Sequence, residues 1–80
     1  MNDVDLLKIV DDAIANYVYD EFTAQRICNF IYRNYDGTYY INRHQLSALI
    51  NRRLREMAAG GKIKIIKRKH KDLYIRIRQK

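Results

Sequence analysis

The sequence predicts an α+β fold in which three helices are followed by a β-hairpin. Apolar residues recur at the spacing of amphipathic helices over most of residues 4–59. Over residues 62–78, on either side of a short basic loop, they alternate with polar residues as in strands. The pair Gly60-Gly61 separates the two patterns, and glycine commonly ends a helix. At 80 residues the chain has the length of one small domain, so we assign residues 1–80 to a single domain.

The first helix is predicted over residues 4–18. Apolar residues such as Val10 and Ile14 recur at helical spacing, while Asp11 and Asp12 are expected to face water. An acidic outer face can repel a polyanion and so fix its orientation on the domain. It can equally be an ordinary solvated helix face, and both interpretations stay open.

The second helix is predicted over residues 23–34, with Thr23 as its N-cap because a threonine oxygen accepts a hydrogen bond from a first-turn N–H. Residues 19–22 break the helical period before it and suit a short strand beside the later hairpin. Cys28 falls on or beside the apolar face. A buried structural thiol is favoured there over a nucleophile or ligand, because no partner motif surrounds it.

The third helix is predicted over residues 43–59, after a turn signal at residues 35–38 and an N-cap at Asn42. One side of its helical wheel is apolar and carries Leu46, Leu49, Ile50, Leu54 and Met57. The other side and its flanks carry small, hydrogen-bonding and basic residues, namely His44, Ser47, Ala48, Asn51, Arg52 and Arg55. Arg53 falls close to the apolar stripe, where its side chain can extend along the edge of the core, so we leave it out of the candidate contacts.

The hairpin strands are predicted over residues 62–67 and 72–78. Ile63 and Ile65 alternate with lysines, which is typical of a strand with one dry and one basic face. The tip, residues 67–71, consists of lysine, arginine and histidine. Such a tip can discourage edge-to-edge strand pairing, but the basic helix before it favours contact with phosphates.

Charge is distributed unevenly along the chain. Residues 1–36 carry three Lys and Arg against seven Asp and Glu, which gives 3 − 7 = −4. Residues 37–80 carry thirteen against two, which gives 13 − 2 = +11. A polyanion is therefore expected to bind the second half and to be repelled by the first.

Several function classes lack their sequence signatures. No apolar run approaches the roughly 18 residues of a membrane span, and the chain does not start like a secretion signal. His44 and His70 have no ligand-spaced neighbours, and no phosphate-binding glycine loop or nucleophile motif occurs. We therefore predict a non-enzyme without cofactor, metal, small-molecule substrate or membrane partner. The single cysteine suits a reducing, intracellular compartment, which is the nucleus in a eukaryote and otherwise the cytoplasm or nucleoid.

Seven tyrosines raise the alternative of base stacking on unpaired nucleic acid. Tyr39, Tyr40 and Tyr74 are the ones that can lie exposed. They do not form the regular aromatic stripe of a single-strand-binding sheet, so half-buried core positions are favoured for the tyrosines.

The order of elements and two segments resemble the winged helix-turn-helix family. The segment LINRRLREMAAGGKI, residues 49–63, is similar to a recognition helix followed by the first strand of a wing. The segment AQRICN, residues 24–29, resembles the ERICN segment in the winged helix of MOZ/MORF-type acetyltransferases, a domain similar to the globular domain of linker histones. The spacing agrees from about residue 6 to residue 77.

This resemblance implies binding of double-stranded DNA in transcription regulation or chromatin association. The third helix would enter the major groove, and the wing would lie along the adjacent minor groove or backbone. The DNA-contacting residues that it nominates are His44, Ser47, Asn51, Arg52 and Arg55 on the helix, and Lys67, Arg68, Lys69 and Lys71 on the wing. The chain departs from those families because it has neither the long basic tails of linker histones nor a catalytic domain. A winged helix that docks another protein in a larger assembly and an RNA binder are the alternatives, and monomer or homodimer is left open.

Overall fold

The computed structural model describes residues 3–38 and 40–77, without the side chains of Asp3 and Val4, and confirms the α+β class. The elements are α1 (Asp3–Asn16), β1 (Glu21–Phe22), α2 (Ala24–Asn34), α3 (Arg43–Ala59), β2 (Ile63–Ile66) and β3 (Leu73–Arg76). The predicted bounds of the third helix are confirmed, whereas α1 ends two residues earlier than expected and α2 begins one residue later. No helix within the described part of the chain is long and apolar enough to cross a membrane.

The helices α2 and α3 are capped at their amino ends by the two residues that the sequence predicts, Thr23 and Asn42. The Thr23 hydroxyl accepts a hydrogen bond from the N–H of Arg26 at 3.3 Å, and the Asn42 side chain accepts one from His44 N–H at 2.8 Å. These bonds satisfy N–H groups of the first helical turn that have no intrahelical acceptor. At the other end of α3, Gly61 adopts a φ of 78°, a conformation that a glycine reaches without steric cost.

The three strands form an antiparallel sheet in the order β1-β3-β2. In β1, Phe22 pairs with Tyr74, which confirms the short strand expected before α2. The hairpin strands are shorter than predicted, and residue 78 lies outside the described residues. Because β3 is the central strand, its backbone is paired along both edges.

The side of β3 that faces the core carries Tyr74 and Arg76. Its alternating pattern instead suggests an inner face of Leu73, Ile75 and Ile77. Tyr74 is fully buried, deeper than the half-buried position favoured for the tyrosines, whereas Ile77 is 47% exposed. Leu73 and Ile75 are half-buried. Tertiary contacts determine this inner face: the Tyr74 ring is buried in the core, and Arg76 donates hydrogen bonds to backbone carbonyls of α1.

The core lies between the inner faces of the three helices and the sheet. Its fully or almost fully buried residues are Leu6, Val10, Ala13, Ile14, Phe22, Ile27, Cys28, Ile31, Leu46, Ile50, Leu54, Ile63 and Tyr74. The apolar side predicted for α3 is confirmed, with Leu49 and Met57 half-buried beside its three core residues. Cys28 is a buried free thiol, as expected.

Arg76 closes the carboxyl end of α1. Its two terminal nitrogens donate hydrogen bonds to the carbonyl oxygens of Ile14 (3.1 Å), Ala15 (2.7 Å), Tyr17 (2.6 Å) and Tyr19 (2.8 Å). A cation at a helix carboxyl end also interacts favourably with the helix dipole. Arg76 Nε is buried and has no hydrogen-bond acceptor among the described residues, although Asp20 Oδ1 lies 3.4 Å away. Two of these carbonyls, those of Tyr17 and Tyr19, lie beyond the end of α1, so Arg76 also holds the segment that follows the helix.

Two aspartates on the acidic face of α1 bond to side chains of the other helices. Asp11 accepts a hydrogen bond from Arg53 Nε at 2.6 Å, and Arg53 also contacts Glu56 at 3.2 Å. Asp12 accepts a hydrogen bond from the Tyr35 hydroxyl at the end of α2. Asp12 is exposed, as expected, and the Asp11 side chain is 38% exposed, so both aspartates face water at least in part while also bonding to other helices. The omission of Arg53 from the candidate contacts agrees with its place in an α1–α3 ion pair.

Candidate nucleic-acid interface

An open groove of about 460 Å³ lies between α3, the β2–β3 loop and the start of α2. We call it the basic groove. Its lining residues are Thr23, Ala24, Gln25, Ser47, Asn51, Arg55, Arg68, Lys69, His70, Lys71 and Asp72. Four of them are Lys or Arg and one is Asp, which gives a local charge of 4 − 1 = +3 with the histidine neutral.

The α3 wall of the basic groove is a stripe of residues spaced four apart. Ser47, Asn51 and Arg55 share this face, because positions i, i+4 and i+8 follow one another along a helix surface. Asn51 Nδ2 donates to the Ser47 carbonyl oxygen at 3.0 Å, and Asn51 Oδ1 accepts from the Tyr74 hydroxyl at 3.1 Å. The Arg55 side chain stands beyond them in the exposed part of the stripe.

The hairpin wall of the basic groove is formed by the loop between β2 and β3. Arg68, Lys69 and Lys71 are exposed there. Lys71 Nζ donates a hydrogen bond to Gln25 Oε1 and so joins the loop to the first turn of α2. Exposed cations on a loop opposite a helix can meet a polyanion from two sides.

The structure brings six of the nine nominated residues into the basic groove, and three lie outside it. His44 is exposed near the start of α3. Arg52 contacts Glu56 at 3.7 Å, and Lys67 contacts Asp72 at 3.3 Å. Both cations remain largely exposed, with side chains 69% and 73% accessible, so these ion pairs are weak and leave them able to contact a ligand.

Sequence reasoning missed the contribution of α2. Thr23, Ala24 and Gln25 line the basic groove with the amino end of that helix, whose first-turn N–H groups carry partial positive charge. The N-cap Thr23 is a local signal for this helix end, but nothing in the sequence places it opposite α3. A second open surface continues past Lys71 along α2 and includes Arg26 and Arg33.

Tyr74 lies behind the α3 wall. Burial raises the pKa of its hydroxyl, the Asp72 carboxylate raises this pKa further, and the charge of Arg55 and a hydrogen bond with it act in the opposite direction. The hydroxyl therefore keeps its proton at neutral pH and remains a donor toward Asn51. Tyr74, which the sequence raised as a candidate for base stacking, is thus buried behind the groove and hydrogen-bonds to Asn51 in its wall.

The exposed large apolar side chains of the described residues do not lie in the basic groove. Val18 (74% exposed) and Tyr19 (64%) are in the α1–β1 loop, and Tyr40 (71%) precedes α3. Tyr39, another tyrosine that the sequence allows to be exposed, lies outside the described residues. Within residues 3–38 and 40–77, no group of three or more His, Cys, Asp or Glu side chains is arranged to hold a metal ion.

Comparison of the chain with protein-family models, with curated proteins and with solved structures found no match. The resemblance to winged-helix domains stays a prediction from the sequence. A functional interpretation depends on the geometry and charge of the basic groove.

Proposed function

We propose that this protein is a winged-helix module that binds double-stranded DNA, with α3 in the major groove and the β2–β3 loop against the neighbouring backbone or minor groove. The observation that supports this proposal is the convergence of a polar α3 stripe and three exposed loop cations on one open basic groove. We further propose a role in transcription regulation or chromatin association.

The shape of α3 suits the major groove. Its 17 residues extend about 25 Å at the usual helical rise of ~1.5 Å per residue. The major groove is roughly 12 Å wide and admits one α-helix. Ser47 and Ala48 are small residues in the middle of the outward side, which allows the helix axis to come close to the base edges.

Affinity would come from phosphate contacts. Arg68, Lys69 and Lys71 supply charge from the loop, and the amino end of α2 adds the partial positive charge of the helix dipole. Neutralising about three phosphates, one for each of these loop cations, would make log affinity fall with log salt at a slope of about −2.7.

Sequence discrimination would come from the α3 stripe. Asn51 is suited to bidentate hydrogen bonding with adenine, and Arg55 to guanine O6 and N7, each worth about 1–3 kcal/mol of discrimination. Arg52, His44 and Lys67 would contact DNA from the rim. The ion pairs of Arg52 and Lys67 leave less of their charge for phosphate.

The test is binding of a fluorescent 20-base-pair duplex of mixed sequence, followed by anisotropy over a series of salt concentrations. The groove variant Arg68→Ala/Lys69→Ala/Lys71→Ala is expected to bind at least tenfold more weakly at low salt and to lose about 2.7 from the slope, three phosphates at ~0.9 each. The matched control is Lys8→Ala/Lys62→Ala/Lys64→Ala, which removes the same charge from exposed positions outside the basic groove. It is expected to change affinity less than about threefold.

Equal losses in the two triple variants would contradict the proposed site, because net charge alone would then explain binding. No measurable binding of the wild-type protein to duplex at low salt would contradict the proposed function itself. Competition with single-stranded DNA and with duplex RNA completes the assay, and a preference for either competitor would favour the alternative nucleic-acid modes.

A further inference from the structure

We infer that Tyr74, a buried residue of β3, is a positioning residue that presets the Asn51 amide to recognise adenine in the major groove. This inference rests on the proposed function and deepens it. It assigns one base contact to a side chain that is itself inaccessible to DNA, since Tyr74 has no exposed surface.

The hydrogen bonds define one orientation of the Asn51 amide. The Ser47 carbonyl can only accept, so the group facing it at 3.0 Å must be the amide nitrogen. The amide oxygen then faces the Tyr74 hydroxyl at 3.1 Å, and that hydroxyl must donate. Without the hydroxyl, one end of the amide loses its fixed partner and rotation about the terminal torsion becomes easier.

With these two hydrogen bonds in place, the Asn51 amide still has one donor and one acceptor position, which are the groups that adenine requires. Asn51 Nδ2 has a second hydrogen and Oδ1 a second lone pair, because each atom uses only one of its two positions in these bonds. Adenine presents an N7 acceptor and an N6 donor in the major groove, which an asparagine amide matches with one donor and one acceptor. Asn51 lines the basic groove, into which the proposed binding mode brings a base edge.

Tyr74 is well suited to hold another residue because its own position is fixed on both sides. It pairs with Phe22 of β1 and with Ile65 of β2, and its ring is enclosed in the core. The hydroxyl can therefore move only with the sheet. A contact residue that is already ordered loses less conformational entropy when it binds, which strengthens the distinction between the right and wrong base.

The test uses a pool of 20-base-pair duplexes with eight randomised central positions, and sequencing of the bound fraction for each variant. The wild-type protein is expected to prefer adenine at one position by at least about fivefold. Asn51→Ala should abolish that preference. Tyr74→Phe should reduce it to about twofold or less while the mean affinity for the pool changes less than about twofold, because the phosphate contacts remain. The double variant should match Asn51→Ala.

The matched control is Tyr32→Phe. It also removes a partly buried hydroxyl that donates one hydrogen bond, in this case to the Ile41 carbonyl at 2.6 Å, and Tyr32 does not line the basic groove. Its base preferences are expected to equal those of the wild-type protein. Nuclear magnetic resonance of the free wild-type protein adds a readout that needs no substitution: the Asn51 side-chain NH₂ order parameter should be about 0.8, near that of rigid backbone.

Full retention of the adenine preference by Tyr74→Phe or by Asn51→Ala would overturn the inference, and so would an Asn51 side-chain order parameter below about 0.6. In each case binding to the duplex pool would continue, so the proposed function would survive. Failure of the wild-type protein to bind the pool would instead refute the proposed function.

Discussion

Replacement of Arg76 by methionine should destabilise the domain by about 3 kcal/mol. Methionine keeps much of the side-chain length but none of the four hydrogen bonds to carbonyl oxygens of residues 14–19. The carbonyls of Ala15 and Tyr19 are exposed and regain water, whereas those of Ile14 and Tyr17 are partly buried. Two bonds to a charged donor at ~1.5 kcal/mol each, the low end of the usual range, give ~3 kcal/mol.

The assay is urea unfolding followed by far-ultraviolet circular dichroism. The matched control is Arg52→Met, the same change at a side chain that is 69% exposed and has one ion pair at 3.7 Å, and it should cost less than about 0.5 kcal/mol. Arg76→Lys should fall between the two because an ammonium offers three donors without the planar fork. Indistinguishable free energies of unfolding for Arg76→Met and Arg52→Met would refute the assignment of Arg76 as the cap of α1.

Three further predictions concern the packing of the helices. A double-mutant cycle with Asp11→Asn and Arg53→Met should give a coupling free energy of about 0.5–1 kcal/mol, since the two side chains are 38% and 30% exposed; zero coupling would contradict the α1–α3 ion pair. Burial and the hydrogen bond to Asp12 raise the pKa of Tyr35 from its ordinary value of 10.0 to about 12. The stabilising contribution of protonated Tyr35 is therefore complete below pH 10 and is lost as the pH rises through 12. Tyr35→Phe should accordingly lose less stability than the wild-type protein over that interval in urea titrations, and equal losses would argue against the bond. Leu54→Ala, at a fully buried position, should lower the free energy of unfolding by about 2–5 kcal/mol, and a loss below about 1 kcal/mol would place Leu54 outside the core.

The sequence predicts those parts of the fold that depend on neighbours along the chain. The bounds of α3 follow from an N-cap at Asn42, an apolar stripe and the Gly60-Gly61 pair, and each of these signals acts within a few residues. The burial of Cys28 likewise follows from its place on the apolar face of α2. Such features need no knowledge of the tertiary contacts.

The inner face of β3 depends on residues far away in the sequence, so its pattern misleads. Alternation of Leu73, Ile75 and Ile77 suggests an apolar inner face, but Tyr74 and Arg76 take that side. Arg76 does so because the carboxyl end of α1, about 60 residues earlier, offers carbonyl acceptors. The free-energy cost of burying its guanidinium is therefore offset by hydrogen bonds, and these cannot be predicted from the local periodicity.

The candidate site was predicted only in part, because one of its walls depends on local spacing and the others depend on tertiary contacts. Ser47, Asn51 and Arg55 share a helix face by spacing alone, so their common place in one wall of the groove follows from the wheel. Their meeting with the β2–β3 loop and with the start of α2 is tertiary. The ion pairs of Arg52 and Lys67 and the Tyr74–Asn51 bond depend on side-chain positions that composition and spacing do not specify.

The most direct test of the basic groove as a DNA-binding site is nuclear magnetic resonance titration of the ¹⁵N-labelled protein with a short mixed-sequence duplex. The proposal predicts that the largest amide shifts fall on residues 47–55, 68–72 and 23–25, the three segments that meet at this groove. Shifts concentrated instead around the exposed Val18 and Tyr19, or no shifts at low salt, would contradict it.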